Sequence, residues 1–305
     1  MDSVMTVTGP VDASALGMTL THEHLFINLL REYRRDGLLH DVQLMCEEVT
    51  RFRSAGGGTI VDCTSQELGR NPLGLKQVSE TTGIKIVMGT GHYRDPYLDR
   101  AWFDRTSAAN IADLMVAEIT KGVDGTGVKA GIIGEIGADK WFVSTAEERS
   151  FRAAALTQRR TGLTITTHAA RWPVGREQLK ILKEAGAEPN RIIVGHCDSV
   201  PDSDYHEEIA RSGSYVQFDT IRGGSEYDLE RVSGYVLNLT RKGLADKILL
   251  SHDVCLRSQL SIYGGCSYDF IPTKFLPRLR KAGLTDDEIA VLVVENPRRA
   301  LSGTR

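Results

Sequence analysis

The sequence predicts an α/β chain folded as a (β/α)8 TIM barrel, and three observations predict it. Short apolar segments rich in Val, Ile and Thr alternate with amphipathic helical segments from residue 18 to residue 253. A glycine stops most of the helical segments just before the next apolar run. The unit recurs eight times within 305 residues. Such alternation means parallel βαβ units, and eight of them at this length favour a closed barrel over an open sheet. A single domain spanning residues 1–305 is expected.

The elements follow in order. Residues 4–17 read as a short hairpin or lead-in around Gly9-Pro10. The first barrel strand covers 18–24. A helix at 41–55 carries Val42, Leu44, Met45, Val49 and Phe52 among charges, and Gly56-Gly57-Gly58 opens the second strand at 59–63. The remaining strands are expected at 84–89, 129–136, 163–168, 191–196, 214–219 and 247–253. Helices at 72–82, 107–121, 145–160, 175–185, 204–211 and 228–242 lie between them. Two more helices, 271–281 and 285–301, close the chain.

Composition narrows the function classes. Hydrophobic residues make up 41% and charged residues 25%, ordinary for a globular protein with a sizeable core. A net charge of −3 gives no nucleic-acid footprint. No apolar run approaches the ~18 residues of a membrane span. The N-terminus lacks a basic stretch leading into an apolar one, so no signal peptide is read. The cysteines at 46, 63, 197, 255 and 266 are odd in number and form no CxxC pair, which suits reduced thiols and a cytoplasmic protein.

The chemistry gathers at the predicted strand ends. His22 and His24 sit one residue apart in the first strand, so their side chains share a face. Glu135, His168, His196 and Asp253 stand at the ends of the fourth, fifth, sixth and eighth strands. In a (β/α)8 barrel these ends form the active-site face. Strand parity supports inward aim, pairing Thr166 with His168, Val194 with His196 and Ser251 with Asp253. A lone strand-end histidine is usually a hydrogen-bonded structural residue. Four histidines and two carboxylates at equivalent positions instead suit two divalent ions, zinc first, manganese or cobalt as alternatives. Two ions about 3.5–4 Å apart can share a hydroxide and activate it at neutral pH, and Glu135 is placed to bridge them. His252 should face away from Asp253. His40 and His206 read as solvated. His92 is as suited to lining the pocket as to lying outside it. Cys197 and Cys255 read as small buried thiols.

The combination Thr21-His22-Glu23-His24, Gly89-Thr90-Gly91, Lys129-Ala130-Gly131-Ile132-Ile133, Thr167-His168, Gly195-His196, Ser251-His252-Asp253 and Glu295-Asn296-Pro297 resembles the phosphotriesterase-related family of the amidohydrolase superfamily. The resemblance spans nearly the whole chain. It implies a binuclear centre with His22, His24 and Asp253 on one ion and His168 and His196 on the other. It also implies Asp253 as general base, and a homodimer. The best-known phosphotriesterases and lactonases of the family bridge their metals with a carboxylated lysine on the fourth strand. Here Glu135 stands at that point, and Lys129 lies at the wrong end of the strand. The chain therefore looks like the family's Glu-bridged branch, in which hydrolysis of an N-acylated amino acid-like compound is known. Asp219-Thr220-Ile221 replaces the Asp-Arg-Tyr of acyl-homoserine lactonases, whereas Tyr93 matches a pocket tyrosine of the lactonases.

The loops after the strands carry Arg70, Arg94, Arg171, Arg222 and Arg257. Arginine presents a fork suited to carboxylate, phosphate or sulfonate. Arg94, Arg222 and Arg257, with Tyr93, are expected to contact substrate. The leading expectation is a metal-dependent hydrolase whose bridging hydroxide attacks a carbonyl centre of a small anionic molecule, a lactone first and an N-acyl amide as alternative. Phosphotriester hydrolysis would be a side activity. A non-catalytic metal-binding protein is the reading from another class; the complete ligand set argues against it. The partner is a small molecule, not nucleic acid or membrane.

Overall fold

A computed structural model describes residues 2–302; Met1 and residues 303–305 of the predicted domain lie outside the described residues. Eight parallel strands form one sheet: β1 (Met18–Glu23), β2 (Gly57–Asp62), β3 (Lys85–Thr90), β4 (Ile132–Gly137), β5 (Ile165–His168), β6 (Ile192–Val194), β7 (Tyr215–Phe218) and β8 (Ile248–Leu250). Their order in space is their order in the chain. The segment after β8 returns to β1. There the Asp253 N–H donates to the His22 carbonyl at 3.1 Å, and the His22 N–H donates to the Ser251 hydroxyl at 3.0 Å. This is the barrel that the alternating pattern predicts.

Helices α1 (Val42–Ser54), α2 (Pro72–Thr82), α3 (Ala108–Thr120), α4 (Thr145–Thr161), α5 (Gly175–Glu184), α6 (Ser203–Arg211) and α7 (Glu226–Arg241) fill the crossovers. Their starts are written locally. Asp41, Asn71, Ser107, Asp202 and Ser225 accept from first-turn N–H groups, and Ser144 and Glu147 form a reciprocal capping box. Both expected C-terminal helices are present; a wide π-type turn, Ile271–Phe275, opens the first, and another, Val291–Glu295, interrupts the second. The expected hairpin is Ser3–Thr6 against Gly9–Asp12. No helix among the described residues is long and apolar enough to cross a membrane.

Two apolar clusters show which way each strand residue faces. Leu20, Ile60, Ile86, Ile133, Ile165 and Val194 pack with helix residues such as Val49, Leu75 and Ile111 in the outer layer. Val61, Val87, Ile132, Ile193 and Leu249 pack inside the barrel, plugged at its base by Val4, Leu16 and Leu301. By strict alternation His22 and Glu135 would follow Leu20 and Ile133 outward. Register shifts between Leu20 and Glu23 and between Ile133 and Ile136 turn them inward instead.

Glu23, between the two histidines, aims away from them and ties the barrel shut. Its Oε1 accepts from Ser251 Oγ and His252 N at 2.8 Å each and faces His252 Nδ1 at 2.8 Å, while Oε2 accepts from Val254 N at 2.9 Å. All of these groups are buried. Glu23→Ala is expected to destabilise the fold by about 3–5 kcal/mol, because it strands several buried polar partners. Chemical denaturation of the variant beside wild type measures this; an unchanged midpoint would remove Glu23 from the closure.

Candidate metal centre

At the C-terminal end of the barrel, six side chains predicted from the sequence converge. Glu135 is central and buried. Its Oε1 lies 3.5 Å from His24 Nε2, and its Oε2 lies 3.1 Å from His168 Nδ1, 3.5 Å from His22 Nε2 and 3.6 Å from His196 Nε2. Asp253 Oδ1 lies 3.3 Å from His24 Nε2 and 3.8 Å from His22 Nε2. Donor atoms of His22, His24 and Glu135 all fall within 4.8 Å of one another, and so do those of Glu135, His168 and His196.

The backbone needed for this is unusual at two strand ends. His196 lies beyond β6, not within it, with φ +55°, and Asp253 lies beyond β8 with φ +54°. The predicted parity of Val194 with His196 therefore fails. Val194 packs outward on the helices, and the left-handed residue after Gly195 swings the imidazole inward. Glycine is required beside Glu135 and His196. A Cβ on Gly134, at φ +125°, would lie 2.2 Å from the Thr166 carbonyl oxygen, and one on Gly195 would lie 2.3 Å from that of Thr167.

Sequence reasoning missed one residue of the centre. Asp219, just past β7, is fully buried. Its Oδ1 lies 2.7 Å from His196 Nδ1 and its Oδ2 lies 3.2 Å from His22 Nδ1, and both oxygens accept from the His196 N–H at 3.1 Å. Thr64 plays a similar part for His24, with its hydroxyl 2.8 Å from Nδ1. The signal available in the sequence was the one that marks Glu135 and Asp253, an acid at a strand end. Carboxylate–histidine pairs of this kind orient a ligand ring and raise its basicity. Asp219→Asn is expected to weaken metal affinity about 10–100-fold, read by competition with a chelator. Unaltered affinity would make Asp219 a packing residue only.

The electrostatics fit a cation. Burial opposes a charged His22, but Glu135 and Asp219 outweigh it and push the ring up to about 9. Burial likewise opposes ionisation of Glu135, yet His22 and His168 hold it well below the usual carboxylate range. Asp219 is lowered against burial by His196 and His22, and Asp253 by Arg222. His22 is buried with neither ring nitrogen in hydrogen-bond geometry among the described residues. A divalent ion held here would supply a partner for the ring and a compensating positive charge.

The predicted substrate contacts divide. Tyr93 lines the cavity over the centre, its hydroxyl 3.3 Å from His168 Nδ1. Arg94 also lines it but is committed to Glu32 at 2.7 Å and Asp139 at 3.1 Å. Arg222 lines it too, bonded to the Asp253 carboxylate and to the His252 carbonyl at 2.6 Å. Arg257 is not in the cavity; a short turn carries it outward, where it stacks on the Tyr263 ring and bonds its hydroxyl. Arg70 is buried against Glu118 at 2.8 Å, away from the centre. His92 pairs with Glu67 in a separate cavity beside Trp102. His206, expected to be solvated, is buried, with Nε2 donating to the Cys197 and Val200 carbonyls at 2.8 and 2.9 Å. Its helix packs that face inward. Burial pushes the Cys197 and Cys255 thiols up; Cys197 is buried as expected, whereas Cys255 is half-buried in the cavity wall, because its segment turns out over the barrel end.

A model of the phosphotriesterase family matches residues 2–301. The chain belongs to the phosphotriesterase family. Within it, the chain is 37% identical over 282 residues to a phosphotriesterase homology protein of Escherichia coli K12, covering 92% of this chain and 96% of that protein. It is 31% identical over 345 residues to an N-acetyltaurine hydrolase of Rattus norvegicus, covering 98% and 97%. The solved structure of a lactonase from Listeria monocytogenes superposes with a TM-score of 0.92 at 27% identity, covering 98% of each chain. As a phosphotriesterase-family chain with this donor set, it is a metal-dependent hydrolase.

Proposed function

We propose that this single-domain hydrolase would hold two divalent ions, with Glu135 serving both, and that it hydrolyses the acyl bond of a small anionic substrate, an N-acyl amide by preference. One observation carries the binuclear reading. The two oxygens of Glu135 face different histidines, Oε1 toward His24 and Oε2 toward His168 and His196, with His22 also 3.5 Å from Oε2, between the two groups. His22, His24 and Asp253 would hold one ion, and His168 and His196 the other. Zinc suits the mixed nitrogen and oxygen donors, and manganese or cobalt would also fit. Divalent ions there would activate water and polarise the substrate carbonyl.

The chain's own groups supply the rest. Asp253 Oδ1 faces the histidines, and the carboxylate is fixed by Arg222 Nη2 on Oδ2. Asp253 takes the proton that the attacking water loses and delivers it to the departing nitrogen as the C–N bond breaks. The Tyr93 hydroxyl, beside His168, is in position to donate to the carbonyl oxygen. Burial pushes that phenol well above its ordinary value, so it stays a donor. The cavity is about 250 Å³, below the about 300–1,000 Å³ usual for drug-sized ligands. A compact substrate such as a short-chain N-acyl amino acid or amino sulfonate suits that volume. The N-acetyltaurine hydrolases among the relatives support the amide reading. Tyr93 and the lactonase relative favour a lactone as second reading.

Elemental analysis and a substrate screen test this. About two ions per chain are expected, with turnover of short N-acyl amino acids or amino sulfonates exceeding that of lactones by the zinc- or manganese-loaded enzyme. Metal-loaded protein that hydrolyses lactones alone would reverse the order, and one ion per chain would end the binuclear reading.

A further inference from the structure

Three arginines line the cavity over the centre: Arg94, Arg171 and Arg222. Two of them already have their charge met. Arg94 is ion-paired with Glu32 and Asp139, and Arg222 with Asp253. Recruiting either for substrate would break a pair that the fold has built. Arg171 is different. Its side chain is exposed and makes no ion pair, hydrogen bond or ring contact among the described residues.

The Arg171 backbone, by contrast, is pinned. It sits at φ +73°, a region that side-chain-bearing residues seldom occupy. Its N–H donates to Ser199 Oγ at 2.8 Å, and that hydroxyl donates to the His196 carbonyl at 2.6 Å. Arg171 also follows His168 by three residues. Its Cα is therefore fixed to two of the loops that carry the centre, while the guanidinium stays free at the mouth. The same lining contains the carboxylates of Glu32, Glu135, Asp139 and Asp253. An anionic substrate entering there needs an uncommitted cation to offset them.

We infer that Arg171 is the specificity-determining residue of this chain, binding the carboxylate or sulfonate at the end of the substrate remote from the scissile carbonyl. The inference rests on the hydrolase reading for the reaction but not for the anion. A planar guanidinium pairs with either oxyanion in bidentate fashion.

Two measurements on metal-loaded protein test it. Calorimetric titration with propane-1-sulfonate, with butyrate and with neutral 1-butanol requires no turnover. Wild type is expected to prefer an anion over the alcohol. Arg171→Ala is expected to lose that preference by about tenfold, Arg171→Lys to recover part of it, and Arg257→Ala, outside the cavity, to keep it. Which anion binds more tightly distinguishes carboxylate from sulfonate. Kinetics with N-acetyl-β-alanine, N-acetyltaurine and neutral N-acetylethanolamine then should show a raised KM for the anionic substrates in Arg171→Ala, with kcat little changed and the neutral substrate unaffected. No anion preference in wild type, or one that Arg171→Ala retains, would overturn the assignment. Arg171-dependent anion binding without hydrolysis of any N-acyl substrate would leave the assignment standing and refute the amide reading instead.

Discussion

Asp253→Asn is expected to lower kcat about 10³-fold, within the range for a lost general acid–base group, while leaving the fold intact. The substitution is nearly isosteric and keeps one oxygen for the position near His24, where Oδ1 lies at 3.3 Å. What it removes is the negative charge that Arg222 and the histidines stabilise and that would receive the proton. The amide cannot take that proton at neutral pH. Steady-state kinetics on the best substrate from the screen, with metal content measured on the same samples, separates the two effects. A fall in kcat with metal retained supports Asp253 as the base. Full activity in a metal-replete variant would require another base, and Arg222 would then be holding a purely structural carboxylate.

Glu135→Gln is expected to lower bound metal from about two ions per chain to about one or fewer, and activity with it. A bridging ligand must offer an anionic oxygen to each of two cations. An amide offers one neutral oxygen and an N–H₂ group that would face His24 or His168, which lie 3.5 and 3.1 Å from the carboxylate oxygens. The site would also lose the charge that offsets two dications. Elemental analysis of wild type and variant side by side reads the outcome. Equal metal in both would mean that Glu135 does not bridge, and the mononuclear or purely metal-binding readings would then take precedence. Circular dichroism on the same samples guards against simple unfolding.

Much of this molecule was legible because its signals are local. Glycine stops, capping residues such as Ser144 with Glu147, and apolar periodicity depend on neighbours a few residues away, so the eight barrel units could be counted from the sequence. The convergence of the strand-end side chains was legible for a related reason: barrel topology brings the C-terminal ends of all its strands together. His22, His24, Glu135, His168, His196 and Asp253 therefore meet although their sequence separations are large. Parity was a weaker guide. It holds for Thr166 and His168 but fails for Val194 and His196, because a register shift or a left-handed residue reverses a side chain without changing its number.

What the sequence alone determined was the barrel, its family and the side chains that meet at its C-terminal end, since each follows from patterns short enough to read locally or repeated often enough to count. Tertiary structure alone decided the partners of each charge. Asp219 became the support of His196 and His22. Glu23 became the latch between β1 and the segment after β8. Of the loop arginines in the cavity, Arg94 and Arg222 were committed to carboxylates and Arg171 was left free. An ion pair depends on distances of a few ångströms between segments far apart in the chain, and no local pattern encodes those distances.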